Sequence, residues 1–255
     1  MTTVTVTETD LLGGRVRCHQ PAHGYRAAID PVLLAAAVPA MPGDRVLDLG
    51  AGVGTAGLCL AARVRGIKVA GLEVQPQLTA LAQRSVEASG LSDSVRVVTG
   101  DLLDRPLEIA AESFDHVIAC PPYVETGKGN PPPDPIKAIA VCEGDAKLVD
   151  WLEYSLAMAK PGGQITVIHR ADRLTELLAC MAAGAGDIAV YPLWPRCGEP
   201  AKRLIVLARK GSGGPLTMLP GLVLHELDGR FTGPAEAVLR DATSLPSLDV
   251  LLKAP

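Results

Sequence analysis

The sequence predicts an α/β fold: a seven-stranded, mostly parallel sheet, covered by helices on both faces and finished by an antiparallel C-terminal hairpin. Three observations lead there. Short apolar runs alternate with helical patterns from Arg45 to Ala183, the signature of strand–helix–strand units. The first run ends in Asp48-Leu-Gly-Ala-Gly-Val-Gly54, where glycines at alternating positions let the backbone turn sharply and approach a ligand closely. The last two runs, Ile188–Tyr191 and Leu204–Ala208, are joined without a helical pattern and so pair antiparallel.

The length of 255 residues suits one domain, read here as three stretches. Residues 1–40 form a hairpin and helix packed on the core, 41–210 the sheet domain, and 211–255 a C-terminal extension of the same domain. The chain is 48% hydrophobic but only 3% aromatic, so Ala, Val and Leu must fill the interior. A net charge of −4 gives no global basic footprint, and any nucleic-acid contact needs a local patch. The six cysteines include no C-x-x-C pair, which argues against zinc and for reduced thiols in a cytoplasmic protein. Met1 to Asp10 lacks a charged, then apolar, leader pattern, and no apolar run is long enough to span a bilayer.

In chain order, Val4 and Val6 alternate with threonines, and Leu11-Leu-Gly-Gly14 offers a turn before Val16, so Met1 to Arg17 reads as a hairpin. Asp30-Pro31 reads as the N-cap and first residue of a helix over Val32–Val38. Strands are expected at Val46–Leu49, Lys68–Glu73, Val95–Val98, Asp115–Ala119 and Gln164–His169. Helices are expected from Thr55 to about Arg65, from Pro76 to Gly90, from about Asp145 to Ala159, and over Arg173–Ala183. Lys160-Pro-Gly-Gly163 reads as a turn, and the Pro- and Gly-rich stretch 124–143 as a flexible lid or plain disorder. The tail is loop-like to Leu222, turns at His225–Thr232, and ends in a short helix at Glu236–Arg240.

The chemistry concentrates at strand ends. The glycines of Asp48-x-Gly50-x-Gly52-x-Gly54 do not follow the dinucleotide spacing, and a carboxylate inside the strand disfavours a pyrophosphate. A ligand with a cationic centre and an amino-acid head tolerates it, and S-adenosylmethionine has both. Glu73 ends the second strand where a ribose would lie; an ordinary strand-end carboxylate is the plain alternative. Cys120-Pro-Pro-Tyr123 follows the fourth strand at once. Two prolines fix φ and free a carbonyl to accept from an NH₂ group, and the tyrosine ring offers a face to a flat substrate. Positioning rather than a strong base would supply most of the catalysis. His169 at the fifth strand's end is a weak candidate base.

These motifs resemble motif I and the (Asn/Asp/Ser)-Pro-Pro-(Tyr/Phe) motif of the class I methyltransferases, whose Rossmann-like fold matches the expected sheet. Flanking segments extend the likeness nearly end to end: Gly24-Tyr-Arg-Ala-Ala-Ile-Asp-Pro-Val-Leu-Leu-Ala35, Lys160–Gly163, Glu199-Pro-Ala-Lys-Arg203 and His225–Thr232. Together they resemble the bacterial valine-tRNA adenine N6-methyltransferases, which modify an adenosine beside the anticodon. The resemblance implies S-adenosylmethionine as cofactor and tRNA as partner, with no metal and no membrane, in a monomer or weak dimer. It implies a catalytic set of Cys120, Pro121, Pro122 and Tyr123. The cofactor would meet Tyr25, Asp30, Asp48, Gly50, Gly52, Gly54, Glu73, Val74, Asp101 and Leu102, with Asp101 accepting from the adenine amino group unless it is a simple turn aspartate. RNA would meet Lys128, Arg196, Lys202 and Arg203.

The chain departs from the pattern at Cys120, because a thiol accepts hydrogen bonds poorly. Three alternatives follow: another exocyclic amine of RNA, a protein glutamine amide, or a module that binds S-adenosylmethionine or RNA without transfer. Only 47 residues precede Asp48, fewer than the helical domain of the glutamine-modifying relatives needs.

Overall fold

The computed structural model describes residues 5–106 and 108–248. Val4, expected in the first strand, lies outside the described residues, as does the end of the 211–255 stretch. An N-terminal hairpin pairs β1 (Val6–Leu11) with β2 (Val16–Pro21), so the second strand runs beyond the expected Arg17. Next come α1 (Asp30–Ala37), β3 (Arg45–Leu49), α2 (Thr55–Arg63), β4 (Lys68–Glu73), α3 (Pro76–Ala88), β5 (Val95–Thr99) and β6 (Phe114–Ala119). The second half holds α4 (Pro135–Val141), α5 (Leu148–Met158), β7 (Ala159–Arg170), α6 (Leu174–Ala182), β8 (Ala185–Trp194) and β9 (Arg203–Lys210). Two short strands, β10 (Thr217–Met218) and β11 (Leu222–Val223), and the helix α7 (Gly233–Asp241) complete the described elements.

The main sheet has the order β10-β8-β9-β7-β6-β3-β4-β5, with β11 also on β8. Strands β3 to β7 pair in parallel, and β9 runs antiparallel to both β7 and β8. The seven expected strands and the antiparallel hairpin are therefore present. The sheet is nevertheless wider than expected, because β10 and β11 add parallel pairs to β8 from a tail read as loop. Alternation within each strand sorts the core onto two faces. In β3, Val46 joins the cluster of Leu33, Leu34 and Leu58, and Leu47 the separate cluster of Phe114, Val117 and Leu152.

Three further readings are corrected. Lys160-Pro-Gly-Gly163 does not precede the strand but lies within β7: Phe114 pairs with Ala159 and His116 with Gln164, so these residues bulge out of register between two positions paired to β6. Asp30 does not cap α1; it is the helix's first residue, and its side chain makes no capping bond. The 124–143 stretch carries the seven-residue helix α4, capped by Asp134, whose Oδ1 accepts from Lys137 N at 2.7 Å.

Candidate active site

The carboxyl ends of β3, β4, β5 and β6 open into one cavity of about 570 Å³, within the usual range for a small-molecule site. Its floor is the loop after β3. Gly50, Gly52 and Gly54 take positive φ values of 71°, 57° and 82°, which side-chain-bearing residues rarely adopt. A Cβ on Gly50 would lie 2.4 Å from the Trp151 ring, and one on Gly52 would lie 2.4 Å from the Tyr25 hydroxyl. The alternating glycines thus let two aromatic walls close onto the loop.

Five carboxylates line the same cavity, Asp30, Asp48, Glu73, Asp101 and Asp145, and three of them belong to β3 and to the ends of β4 and β5. Asp48 is buried in β3, and its Oδ2 accepts from Gly57 N at 2.9 Å. Burial is the main cause that pushes its pKa up to about 7. Glu73 ends β4 and accepts from Gly52 N at 2.8 Å and from Gln75 N at 2.9 Å, so strand, loop and following helix lock its position. Burial raises its pKa as well. Asp101 follows β5, and its Oδ1 accepts from Leu103 N at 2.9 Å. Val74, half exposed, and Leu102, buried, add apolar lining.

Cys120-Pro-Pro-Tyr123 continues β6 into the cavity wall. The Tyr123 hydroxyl donates to Asp30 Oδ2 at 2.8 Å. With that proton committed, the Cys120 thiol 3.4 Å away donates to the Tyr123 oxygen. Burial raises the Cys120 pKa to about 12, so it stays a neutral thiol. Arg203 pairs with Asp30 at 2.6 Å and lies over the Tyr123 ring, 5.4 Å from its centre. His169 meets that ring edge-on at 5.2 Å, and its Nε2–H donates to the Pro122 carbonyl at 3.2 Å. Burial drives the His169 pKa down to about 4, so the neutral ring orients the Pro-Pro turn and is no base near neutrality. No described hydrogen bond reaches the Cys120 or Pro121 carbonyl, which leaves both as acceptors at the cavity edge.

The fold gathers the expected cofactor residues and the Cys120–Tyr123 set around this one cavity, except Gly54, which turns away from it toward Ala82 and Leu58. The expected RNA residues separate. Arg203 faces the cavity with its charge paired to Asp30. Arg196 pairs with Glu199, Lys128 pairs with Glu125, and Lys202 is exposed. Trp151 was not foreseen as part of the site, whereas His169, read as a candidate base, orients the Pro-Pro turn instead, and α4 arises within the stretch read as a lid or disorder. Only the rarity of Trp, two in the chain, could have drawn attention to the first.

The residues present suit S-adenosylmethionine: a glycine cradle, an ionisable group in β3 for a cationic ligand, and a fixed carboxylate after β4 for hydroxyls. Among the described residues no cluster of ligating side chains could hold a metal ion, and no helix is long and apolar enough to cross a membrane. All six cysteines are free.

Comparison with known proteins places this architecture. The methyltransferase small domain family matches residues 27–131. A Porphyromonas gingivalis tRNA1(Val) (adenine(37)-N6)-methyltransferase is 30% identical over 62% of this chain and 64% of its own length. The chain therefore spans just under two thirds of that relative. A Tolumonas auensis enzyme of the same name is 26% identical over 81% of this chain and 85% of its own length. The crystal structure of a predicted O-methyltransferase from Agrobacterium tumefaciens superposes with a TM-score of 0.71 at 28% identity, covering 84% of this chain and 97% of that one. The tRNA (m1A58) methyltransferase TrmI from Aquifex aeolicus shares the fold at a TM-score of 0.54 and 16% identity, over 75% of this chain and 72% of that one. Motifs, sheet order and similar structures agree on a class I methyltransferase fold, within which residues 27–131 match the methyltransferase small domain family.

Proposed function

We propose that the protein transfers a methyl group from S-adenosylmethionine to the exocyclic N6 of an adenosine in tRNA. One observation carries this reading: the glycine cradle, Glu73 and Cys120-Pro-Pro-Tyr123 share one cavity, at the ends of adjacent parallel strands. The names of the relatives supply the substrate class.

When bound, S-adenosylmethionine supplies an electrophilic methyl group on a sulfonium. The chain's own residues do the rest. Asp48 and the loop of Gly50, Gly52 and Gly54 hold the cationic amino-acid end, and Glu73 accepts from the ribose hydroxyls. Val74, Asp101 and Leu102 border the adenine. At the Pro-Pro turn, the Cys120 and Pro121 carbonyls accept from the substrate amine and turn its lone pair toward the cofactor side. His169 holds the Pro122 carbonyl aside, and Arg203 with Asp30 fixes the Tyr123 ring. The cavity rather than a strong base provides the catalysis. The reading places the protein in the cytoplasm, with tRNA.

The test is methyl transfer from labelled cofactor to total unmodified RNA, followed by nucleoside analysis. The expected product is N6-methyladenosine in tRNA. Label in another nucleoside, or in protein, would replace the substrate. Cys120 favours one second reading, a module that binds cofactor without transfer; cofactor binding with no transfer to RNA or protein would establish it.

A further inference from the structure

Ten lysines and arginines among the described residues pair with carboxylates. Arg196, Lys128, Arg170, Arg230 and Arg240 each pair with an acid two to four residues away. Three cations line the cavity: Arg26, Lys137 and Arg203. Arg203 is paired with Asp30. Among the described residues, neither Arg26 nor Lys137 meets a carboxylate at ion-pair distance. Lys137 has no described side-chain partner, and Arg26 donates only to the hydroxyls of Thr7 and Thr9, at 3.2 and 3.4 Å. Both side chains are exposed although both line the cavity, which places them at its opening.

They also stand on segments built against each other. Ile136, beside Lys137 on α4, packs against the same buried cluster of Cys18, Val53, Leu78 and Leu81 as Tyr25 and Ala27, which flank Arg26. Gln75 Nε2 donates to the Ile136 carbonyl at 3.3 Å. The Asp134 carboxylate lies against Gly24, with its Oδ1 occupied in capping α4. Of the acids that line the cavity, Asp30 is paired with Arg203, Asp48 and Glu73 lie buried at the ends of β3 and β4, and Asp101 and Asp145 belong to the loops after β5 and before α5.

We propose that Arg26 and Lys137 form a phosphate clamp at the cavity mouth, which holds the backbone of the RNA strand on either side of the nucleotide that enters. The inference rests on the proposed function and moves the main RNA contact away from Arg196 and Lys202. A base can reach the Pro-Pro turn only when turned out of its stack, and the phosphates flanking it must then lie at the rim of the cavity. A partner that enters base first and carries a regular negative charge matches two exposed cations over an acidic floor. The attachment of Lys137 to α4 also gives the Pro-rich segment a task, since RNA seated on Lys137 would hold α4 over the cavity.

The test compares the full-length protein with R26A/K137A, R26K/K137R and R196A/K202A. Each is measured for tRNA affinity across a salt series, for the KM and kcat of tRNA methylation, and for cofactor affinity. For R26A/K137A we expect tRNA affinity to fall about tenfold or more and the salt slope to flatten by about 1.5, the share of two phosphate contacts. KM for tRNA should rise far more than kcat falls, with cofactor affinity kept within about twofold. R26K/K137R keeps the charges and should keep most of the affinity and slope. R196A/K202A should change little. The clamp is refuted if the parent methylates tRNA and R26A/K137A matches its KM and slope, or if R196A/K202A carries the larger loss. A loss that R26K/K137R shares in full, together with lost cofactor affinity, would make the two residues structural and also refute the clamp. A parent that binds cofactor but neither binds nor methylates RNA would instead overturn the proposed function, and the clamp with it.

Discussion

At position 120 a thiol stands where the motif has Asn, Asp or Ser, and its neighbours define what it can do. The Tyr123 hydroxyl donates to Asp30, so the thiol proton is directed at Tyr123 and only weakly accepting sulfur lone pairs remain for a substrate. In Cys120→Asn, the amide NH₂ would take over the contact to Tyr123 and the amide oxygen would accept from the amine. One added hydrogen bond in the transition state contributes about 1–1.5 kcal/mol, so kcat on tRNA should rise about tenfold. Tyr123→Ala should lower activity in either background. A slower Cys120→Asn enzyme would mean the thiol suits a different substrate. Asp48 gives a pH prediction. Its folded pKa of about 7 lies above the ordinary carboxylate value because of burial. The stability it contributes is therefore fully present below about pH 4 and is lost as pH rises through 7. A cationic ligand favours the ionised form, so binding should release a proton, and cofactor affinity should rise about tenfold between about pH 6 and pH 8. Calorimetry in two buffers of different ionisation enthalpy checks both, and Asp48→Asn should flatten the profile. An affinity independent of pH in the parent would remove Asp48 from contact with the cation. Asp48, Glu73 and the Pro-Pro turn were legible because strand ends announce themselves in sequence. The partners of Tyr123 were not, because Asp30 and Arg203 lie far from it in the chain and meet it only through the fold.

Among the elements, two Asp-Pro pairs with the same local signature end differently. At Asp134-Pro135 the aspartate caps α4. At Asp30-Pro31 it does not, because Tyr123 and Arg203 are within reach and a buried carboxylate bonded to them is favoured over a local cap. Only the cap at Asp30 is expected from the sequence, and tertiary partners remove it, while the cap at Asp134 forms in a stretch read as a lid or disorder. The same contest explains the Lys160–Gly163 segment: Pro-Gly-Gly is turn chemistry, yet β6 pairs with Ala159 before it and Gln164 after it, which keeps the segment within β7 as a bulge. The glycine loop is the element most fully written in sequence, and it allows a paired test. Gly52→Ala would force a non-glycine residue to φ 57° and push a Cβ to 2.4 Å from the Tyr25 hydroxyl. The backbone term costs about 1 kcal/mol and cannot be relieved, but the clash can. Gly52→Ala should therefore weaken cofactor binding strongly, and Tyr25→Phe in that background should recover part of the loss. Recovery of none of it would mean that φ, or the ligand itself, excludes the methyl group.

On the scale of the whole molecule, the tail closes the core. Residues after Gly211 look dispensable in sequence, since a pair of two-residue strands is too short for any periodicity and their partner β8 lies far back in the chain. In the fold, Leu219, Leu222, Val238 and Leu245 are buried in the same cluster as Leu34 and Tyr191. Leu245 N donates to the Ala36 carbonyl at 3.0 Å, and α7 packs on α1. Each buried aliphatic side chain contributes about 1.5–3 kcal/mol. The four together supply about 6–12 kcal/mol, comparable to the roughly 5–15 kcal/mol that holds a domain of ordinary stability. A chain ending at Lys210 would also expose the apolar faces of α1 and β8 that the tail covers. Such a truncation should lose its cooperative thermal transition by circular dichroism, or aggregate. The active site would go with it, because α1 carries the Asp30 that holds Tyr123. The milder double substitution Leu222→Ala/Val238→Ala separates the effects: it leaves a folded chain with a melting temperature lower by about 10 °C or more and cofactor affinity nearly kept. If the truncated chain instead melts cooperatively within a few degrees of the full-length protein, the tail is an appendage, and the core of residues 5–210 is sufficient on its own.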